Sequence, residues 1–304
     1  MVLWSRVFIG AVVGSAGAAF KTVFCDSSPS GSATELLRRP VVNETNFPKG
    51  RIVTGVRWGV PWKDDWDLVA VEEGEKGAKS SAVRQMILIR HGQYEREGCN
   101  DDTLKKLSKL GEKQAELTGK YLYQAFEQKR LIKQLGDNVP PHEENFKGGF
   151  LCASEPKTIY MSNLTRAKQT AELMMNSFPS DMRGRAVVDP DLRERYPCVP
   201  EPPVNGTSTD GSDTVRVESV FRKYFYRPTT DESSVEVFVG HANVIRYLVC
   251  RALQLPPEAW LRFSLPHCSI TSLCIWSDGR VTLRSLGSAG HLPVDMVTTR
   301  NIRC

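Results

Sequence analysis

The sequence predicts an α/β fold, a mostly parallel central sheet with helices on both faces, preceded by an N-terminal membrane helix. Three observations carry this. Strand-like apolar runs alternate with helix-period segments through the last 220 or so residues. The run Met86-Ile-Leu-Ile-Arg90 is apolar without a break, as in a strand covered on both faces. Asp278-Gly279 stands between two late strand-like runs and marks a hairpin.

The elements follow in order. Residues 1–24 form the membrane anchor: residues 7–20 carry no charge, Arg6 and Lys21 flank them, and a snorkelling Lys21 extends the segment toward the ~20 residues a span needs. Gly10, Gly14 and Gly17 would let two such helices approach closely. A cleaved secretory signal has the same basic-then-apolar layout, and sequons at Asn43, Asn163 and Asn205 fit secretion.

Residues 25–81 have linker composition, Ser/Gly/Pro-studded, with a charged run at 72–79. Trp58, Trp62 and Trp66 interrupt it, with Asp67 following. Two readings stay open there: the tryptophans anchor a partner or sister subunit, or they pack back on their own domain.

Residues 82–304 form the main domain. After the strand at 86–90, a helix spans roughly 109–128, with Ala115, Gly119 and Leu122 on one face. A strand at 158–162 leads to a helix using Ala167, Ala171 and Met174/Met175. A strand at 235–239 leads to a helix from Asn243 using Ile245, Leu248/Val249 and Ala252. Runs at 270–276 and 281–286 flank the hairpin turn. Phe126 to Ala153, with Pro140-Pro141 and Gly148-Gly149, reads as a long loop.

Composition narrows the function. The 304 residues hold 40 Lys+Arg and 35 Asp+Glu, a net charge of +5, with 40% hydrophobic residues. These values exclude wholesale disorder, a collagen-like fibre and a multi-span membrane protein. Basic residues form no clustered patch, so no nucleic-acid partner is expected. Eight cysteines lie scattered, with no Cys-x-x-Cys pair, as free thiols in a reducing compartment would.

Sites in open α/β sheets form beyond the carboxyl ends of the strands. There the sequence places Arg90-His91-Gly92, Ser162 with Arg166 four residues on, and Gly240-His241-Ala242. Two guanidiniums near helix N-termini make an anion site suited to phosphate. A neutral imidazole beside a bound phosphoryl group can attack phosphorus, and fixed cations neutralise the transferred oxygens without a metal. Glu194, in a charged segment after an apolar run, is the candidate acid. His142, His267 and His291 receive no role. No His-x-Glu or closely spaced ligand set supports zinc, and no Walker-type loop occurs.

These residues carry a resemblance. Leu88-Ile-Arg90-His91-Gly92, Leu107-Ser-Lys-Leu-Gly111 with Gln114-Ala115, Ser162 to Ala167 with Thr170, and Gly240-His241-Ala242 resemble the histidine phosphatase, or phosphoglycerate mutase-like, superfamily over roughly 85–286. Ile89 to Tyr94, His241-Ala-Asn-Val-Ile-Arg-Tyr247 and Pro256-Pro-Glu-Ala-Trp-Leu-Arg262 are similar to its mitochondrial serine/threonine-protein phosphatases. The resemblance makes His91 the phosphoryl-accepting nucleophile, with Glu194 the proton donor and His241 a further catalytic residue. Arg90, Arg166 and His241 become the phosphate pocket. It implies hydrolysis of phosphoserine and phosphothreonine in proteins, with neither metal nor cofactor. It implies a single-pass location in a mitochondrial membrane, outer or inner, and a homo-oligomer built through Trp62, Trp66 and Asp67. Glu72-Glu-Gly-Glu75 is similar to a peptide read by a Kelch-type adaptor.

Departures from the family are the 126–153 insertion, Arg195-Tyr196 after Glu194, and Asp65 in place of an amide. A glycan on Asn163, three residues before Arg166, would crowd the pocket and so opposes secretion. Two other functions fit parts of the sequence: a phosphatase or mutase for small phosphorylated metabolites, and a non-catalytic membrane-anchored scaffold.

Overall fold

Strand β1 (Val83–Arg90) is buried at all eight of its positions, and the sheet is assembled around it. The structure is a computed structural model, which describes residues 61–68, 81–95, 100–135, 150–209 and 211–299. The expected anchor at 1–24, most of the 25–81 linker and Glu72 to Glu75 lie outside those residues. Among the described residues no helix is long and apolar enough to cross a membrane.

The other strands are β2 (Pro156–Ser162), β3 (Ala186–Asp189), β4 (Ser234–Gly240), β5 (Ile270–Trp276) and β6 (Val281–Ser288), in the order β3-β2-β4-β1-β5-β6. The pairs β3–β2, β2–β4 and β4–β1 are parallel, while β1–β5 and β5–β6 are antiparallel. The mostly parallel sheet expected from the sequence is therefore present. Helices α1 (Lys109–Leu135), α2 (Thr165–Met175), α3 (Ser180–Arg183), α4 (Ser212–Tyr224) and α5 (Ala242–Ala252) complete the element order, with short 3-10 turns between.

Period-two alternation sorts the apolar run of β1 between two cores. Ile87 and Ile89 face one way, with Leu122 and Phe126 of α1 and Met174 of α2. Met86 and Leu88 face the other, with Val217 and Phe221 of α4 and Leu248 of α5. Both faces are apolar, which is why no polar alternation shows in the sequence.

Three elements differ from expectation. Helix α1 continues to Leu135, because residues 129–135 are mostly strong helix formers, so ten residues of the expected 126–153 loop are helical and Phe126 is a fully buried core residue. Residues 136–149 of that loop lie outside the described residues. The edge strand β3 and helix α4 have no counterpart among the elements the sequence predicts. β3 has only four residues, and α4 is rich in β-branched residues and starts after Gly211 with no side-chain cap.

The predicted hairpin forms. Gly279 takes φ +82° in the turn, and a Cβ there would lie 2.7 Å from Arg227 Nη2. Its carbonyl accepts a 2.8 Å hydrogen bond from Trp66 Nε1. Trp66 is 8% exposed and its ring centre lies 5.8 Å from that of Phe221. Asp67 grips the buried Arg227 guanidinium at 2.8 Å. Of the two readings for this segment, Trp66 and Asp67 follow the second, packing on their own domain. Trp62 is 39% exposed, and Trp58 lies outside the described residues.

Candidate active site

The parallel register Arg90↔Gly240 brings the ends of β1 and β4 side by side. His91 N–H donates to the Gly240 carbonyl at 2.9 Å, and the His91 and His241 ring centres come within 5.1 Å. β2 ends at Ser162, and Arg166 lies in the first turn of α2. His91 is 4% exposed, His241 is fully buried, and Arg90 and Arg166 are buried beside them.

Polar contacts set the state of each group. His91 Nδ1–H donates to the Gly92 carbonyl at 2.8 Å, which leaves Nε2 as the nitrogen with the lone pair of the neutral ring. Arg166 Nε–H donates to that Nε2 at 3.3 Å. Burial, reinforced by competition with the neighbouring His241 ring and by the charges of Arg90 and Arg166, pushes His91 well below its ordinary pKa and keeps the ring neutral. Burial, then Arg166 and Arg90, does the same to His241.

Glu194 shifts the other way. Burial raises its pKa, while Arg166, Arg90 and Arg246 pull against the rise. Its Oε2 lies 3.8 Å from His241 Nδ1, and neither atom has a hydrogen-bond partner. The other His241 nitrogen, Nε2, lies 2.9 Å from Ser162 Oγ. Glu194, whose hold on a proton burial strengthens, thus shares one wall with two neutral imidazoles and two guanidiniums.

Arg90, His91, Arg166 and Glu194 line a cavity of about 610 Å³. His241 sits beneath the surface of that cavity, next to the lining residues Ala242 and Asn243. Arg195 and Tyr196, the departures noted in the sequence, form part of the wall. The volume falls in the ~300–1,000 Å³ range that takes a drug-sized ligand, much more than a phosphoryl group needs.

Two residues that the sequence did not single out join the site. Asp102, in a 3-10 turn, pairs with Arg166 Nη1 at 3.2 Å and accepts from Thr165 N–H at 2.7 Å, fixing the guanidinium to the helix start. His267 Nε2 lies 3.0 Å from Arg90 Nη2. Burial and then the charge of Arg90 lower its pKa to about 3, so it too is neutral. No local pattern signals Asp102, and His267 reads as an isolated histidine until β5 pairs with β1. His291, given no role, is a packing residue stacked on Tyr121; His142 lies outside the described residues.

The loop after His91 is moulded against α1. A Cβ on Gly111 would lie 1.9 Å from the Gln93 carbonyl oxygen, and one on Gly92 would lie 2.7 Å from that of Gly111. Gln114 Oε1 accepts the Gln93 N–H at 2.9 Å, and Thr170 Oγ1 accepts the Gly92 N–H at 3.0 Å.

The chain is also similar in sequence to known proteins. The model of the histidine phosphatase superfamily (branch 1) matches residues 200–287, which include His241. The chain is 39% identical over 224 residues to the serine/threonine-protein phosphatase Pgam5, mitochondrial, of Drosophila grimshawi, covering 72% of this chain and 68% of the relative. It is 38% identical over 263 residues to the Drosophila willistoni protein of the same name, covering 79% and 80%. The Rattus norvegicus protein is 39% identical over 227 residues, covering 72% and 68%. Among solved structures, a phosphoglycerate mutase from Plasmodium falciparum is similar at 31% identity with a TM-score of 0.42, covering 70% of this chain and 96% of that one. With its histidine pair and paired arginines at the strand ends, and with that identity over most of its length, the chain belongs to the Pgam5 family of the histidine phosphatase superfamily.

Proposed function

We propose that this chain is a protein serine/threonine phosphatase that works through a phosphohistidine on His91. The substrate phosphate sits among Arg90, Arg166 and His241. His91 Nε2 attacks phosphorus, the bond from phosphorus to the seryl or threonyl oxygen breaks, and Glu194 gives its proton to the departing oxygen. Water then attacks the phosphohistidine and gives a proton to the Glu194 carboxylate. The P–N bond breaks, releasing phosphate and restoring neutral His91. The guanidiniums supply the positive charge that the transferred oxygens need, so we write the step without a metal and expect chelators to leave turnover unchanged.

One observation carries this reading. A buried, neutral His91 has its Nδ1–H held by the Gly92 carbonyl and its Nε2 directed at Arg166. The test is to trap acid-labile, base-stable phosphate on the protein and compare phosphopeptide with 3-phosphoglycerate turnover. Trapped phosphate that disappears in His91→Ala, with the phosphopeptide preferred, is the expected result. Faster turnover of 3-phosphoglycerate transfers the assignment to small metabolites. No trapped phosphate and no turnover would leave the anchored scaffold.

The proposal extends to a mitochondrial membrane tether and a homo-oligomer. The uncharged run at 7–20 and the printed names of the relatives support the first. The oligomer is proposed through the segment of Trp62, Trp66 and Asp67: Trp66 and Asp67, packed on their own domain, would hold the segment in place, and the exposed Trp62 would supply the contact between copies. Deletion of residues 1–24 is expected to release the protein from carbonate-washed membranes, and Trp62→Ala to lower the mass measured by light scattering.

A further inference from the structure

The chain's C-terminal segment reaches the phosphate pocket through a directed set of hydrogen bonds. A guanidinium only donates, so at 3.0 Å from Arg90 Nη2 the His267 Nε2 must offer its lone pair. The ring proton then sits on Nδ1, which lies 2.9 Å from Thr298 Oγ1 and donates to it. The same hydroxyl accepts from Gln114 Nε2 at 2.9 Å. Gln114 is fully buried, and its amide is fixed the other way round by the Gln93 N–H on Oε1. The Thr298 carbonyl accepts the His267 N–H at 2.8 Å, and the Met296 carbonyl accepts from Gln114 Nε2 at 2.7 Å.

We propose that Thr298 is a positioning residue for the phosphate pocket: its hydroxyl sets the tautomer and orientation of His267, and through that ring it holds the Arg90 guanidinium in place. The proposal rests on the reading of Arg90 as a phosphate ligand. The mechanism is a matter of proton direction. Without the Thr298 hydroxyl, Nδ1–H loses its acceptor and the ring no longer favours the Nδ1–H form. The Nε2–H form would set two donors against each other at 3.0 Å, and the Arg90 guanidinium would swing away. The lowered pKa of His267 fits this use, since only a neutral ring can accept from Arg90. The hydrogen bond from Arg90 Nη1 to the Leu265 carbonyl remains, so the effect is a misplacement of the arginine rather than its release.

The experiment compares Thr298→Val, isosteric but lacking the hydroxyl, with Thr298→Ser in the full chain, using a phosphopeptide substrate and inorganic phosphate as competitive inhibitor. Thr298→Val is expected to raise both KM and the phosphate inhibition constant about tenfold, with kcat within about twofold, while Thr298→Ser keeps wild-type values. His267→Phe, which removes the ring nitrogens, should reproduce the Val signature and serves if Thr298→Val fails to fold. In an Arg90→Ala background, Thr298→Val should add nothing. Unchanged phosphate inhibition in Thr298→Val, or an additive rise in the Arg90→Ala background, overturns the relay. If Arg90→Ala itself leaves phosphate inhibition unchanged, the phosphate-ligand reading falls, and the relay falls with it.

Discussion

β1 carries a buried arginine at each end, and the two are treated in opposite ways. Arg84 forms a 2.6 Å ion pair with Glu236, donates to the carbonyls of Tyr224 and Tyr226, and lies 3.6 Å over the Tyr226 ring. Glu236 sits on β4 two residues beyond Ser234, Arg84's register partner, so on the same face, and is about equally buried. At the carboxyl end, Arg90 and Arg166 crowd neutral histidines, while His241 Nδ1 and Glu194 Oε2 lie 3.8 Å apart without a hydrogen-bond partner. Buried charge is stable when paired and hydrogen-bonded. The amino end closes its polar cluster internally, and the carboxyl end leaves polar atoms unmet beside a cavity. An anion with several acceptor oxygens would meet the N–H donors of the second cluster, and nothing further is needed by the first.

Substitutions should separate the two ends. The largest effect is expected from His91→Ala, which should lower turnover by at least about 10⁴-fold and leave the melting temperature near wild type. Glu194→Gln should cost about 10²–10⁴ in kcat and remove the alkaline limb of the pH–rate profile, because the wild-type acid loses its proton as pH rises through its elevated pKa. Its stability at neutral pH should hold or improve, since a buried carboxylate raised in pKa opposes folding once it ionises. Glu236→Ala should behave the other way, costing about 3–5 kcal/mol in denaturant unfolding by stranding Arg84, with KM for phosphopeptide unchanged in the folded fraction. Trp66→Ala is expected to cost about 3 kcal/mol by emptying the niche against Phe221. The smallest effect is one of pH. The depressed histidines bind fewer protons in the native state than in the unfolded chain. Stability is therefore full above the unfolded-chain value of about 6.5 and erodes as pH falls toward the native values. Thermal melts between pH 7.5 and 5 should show the decline, and His241→Gln should flatten it.

The same contrast explains what could be read from the sequence. Arg90, His91, Arg166 and His241 each follow a strand or open a helix, so the strand-end rule is enough to collect them. Glu194 was reachable only as a charge after an apolar run, and its separation from His241 depends on the short β3 and a 3-10 turn that carry little periodicity. Asp102 and His267 lie in irregular segments and meet their arginines only through tertiary pairing. Helix α4 did show Val217, Val220, Phe221 and Tyr224 at helical spacing, yet β-branched residues and the lack of a capping side chain hid its start. The fate of the tryptophan segment could not be decided locally, because the Gly279 carbonyl and Arg227 that receive Trp66 and Asp67 stand about 210 and 160 residues further along.

The contact between Gly111 and the backbone at Gln93 bears on how this protein can vary. A single added methyl on α1 would push the turn behind His91 out of line while leaving every side chain in the cavity untouched. Gly111→Ala is therefore expected to lower turnover by a route invisible to any inventory of reactive groups, and an unchanged kcat in a folded Gly111→Ala protein would show that the turn can give way.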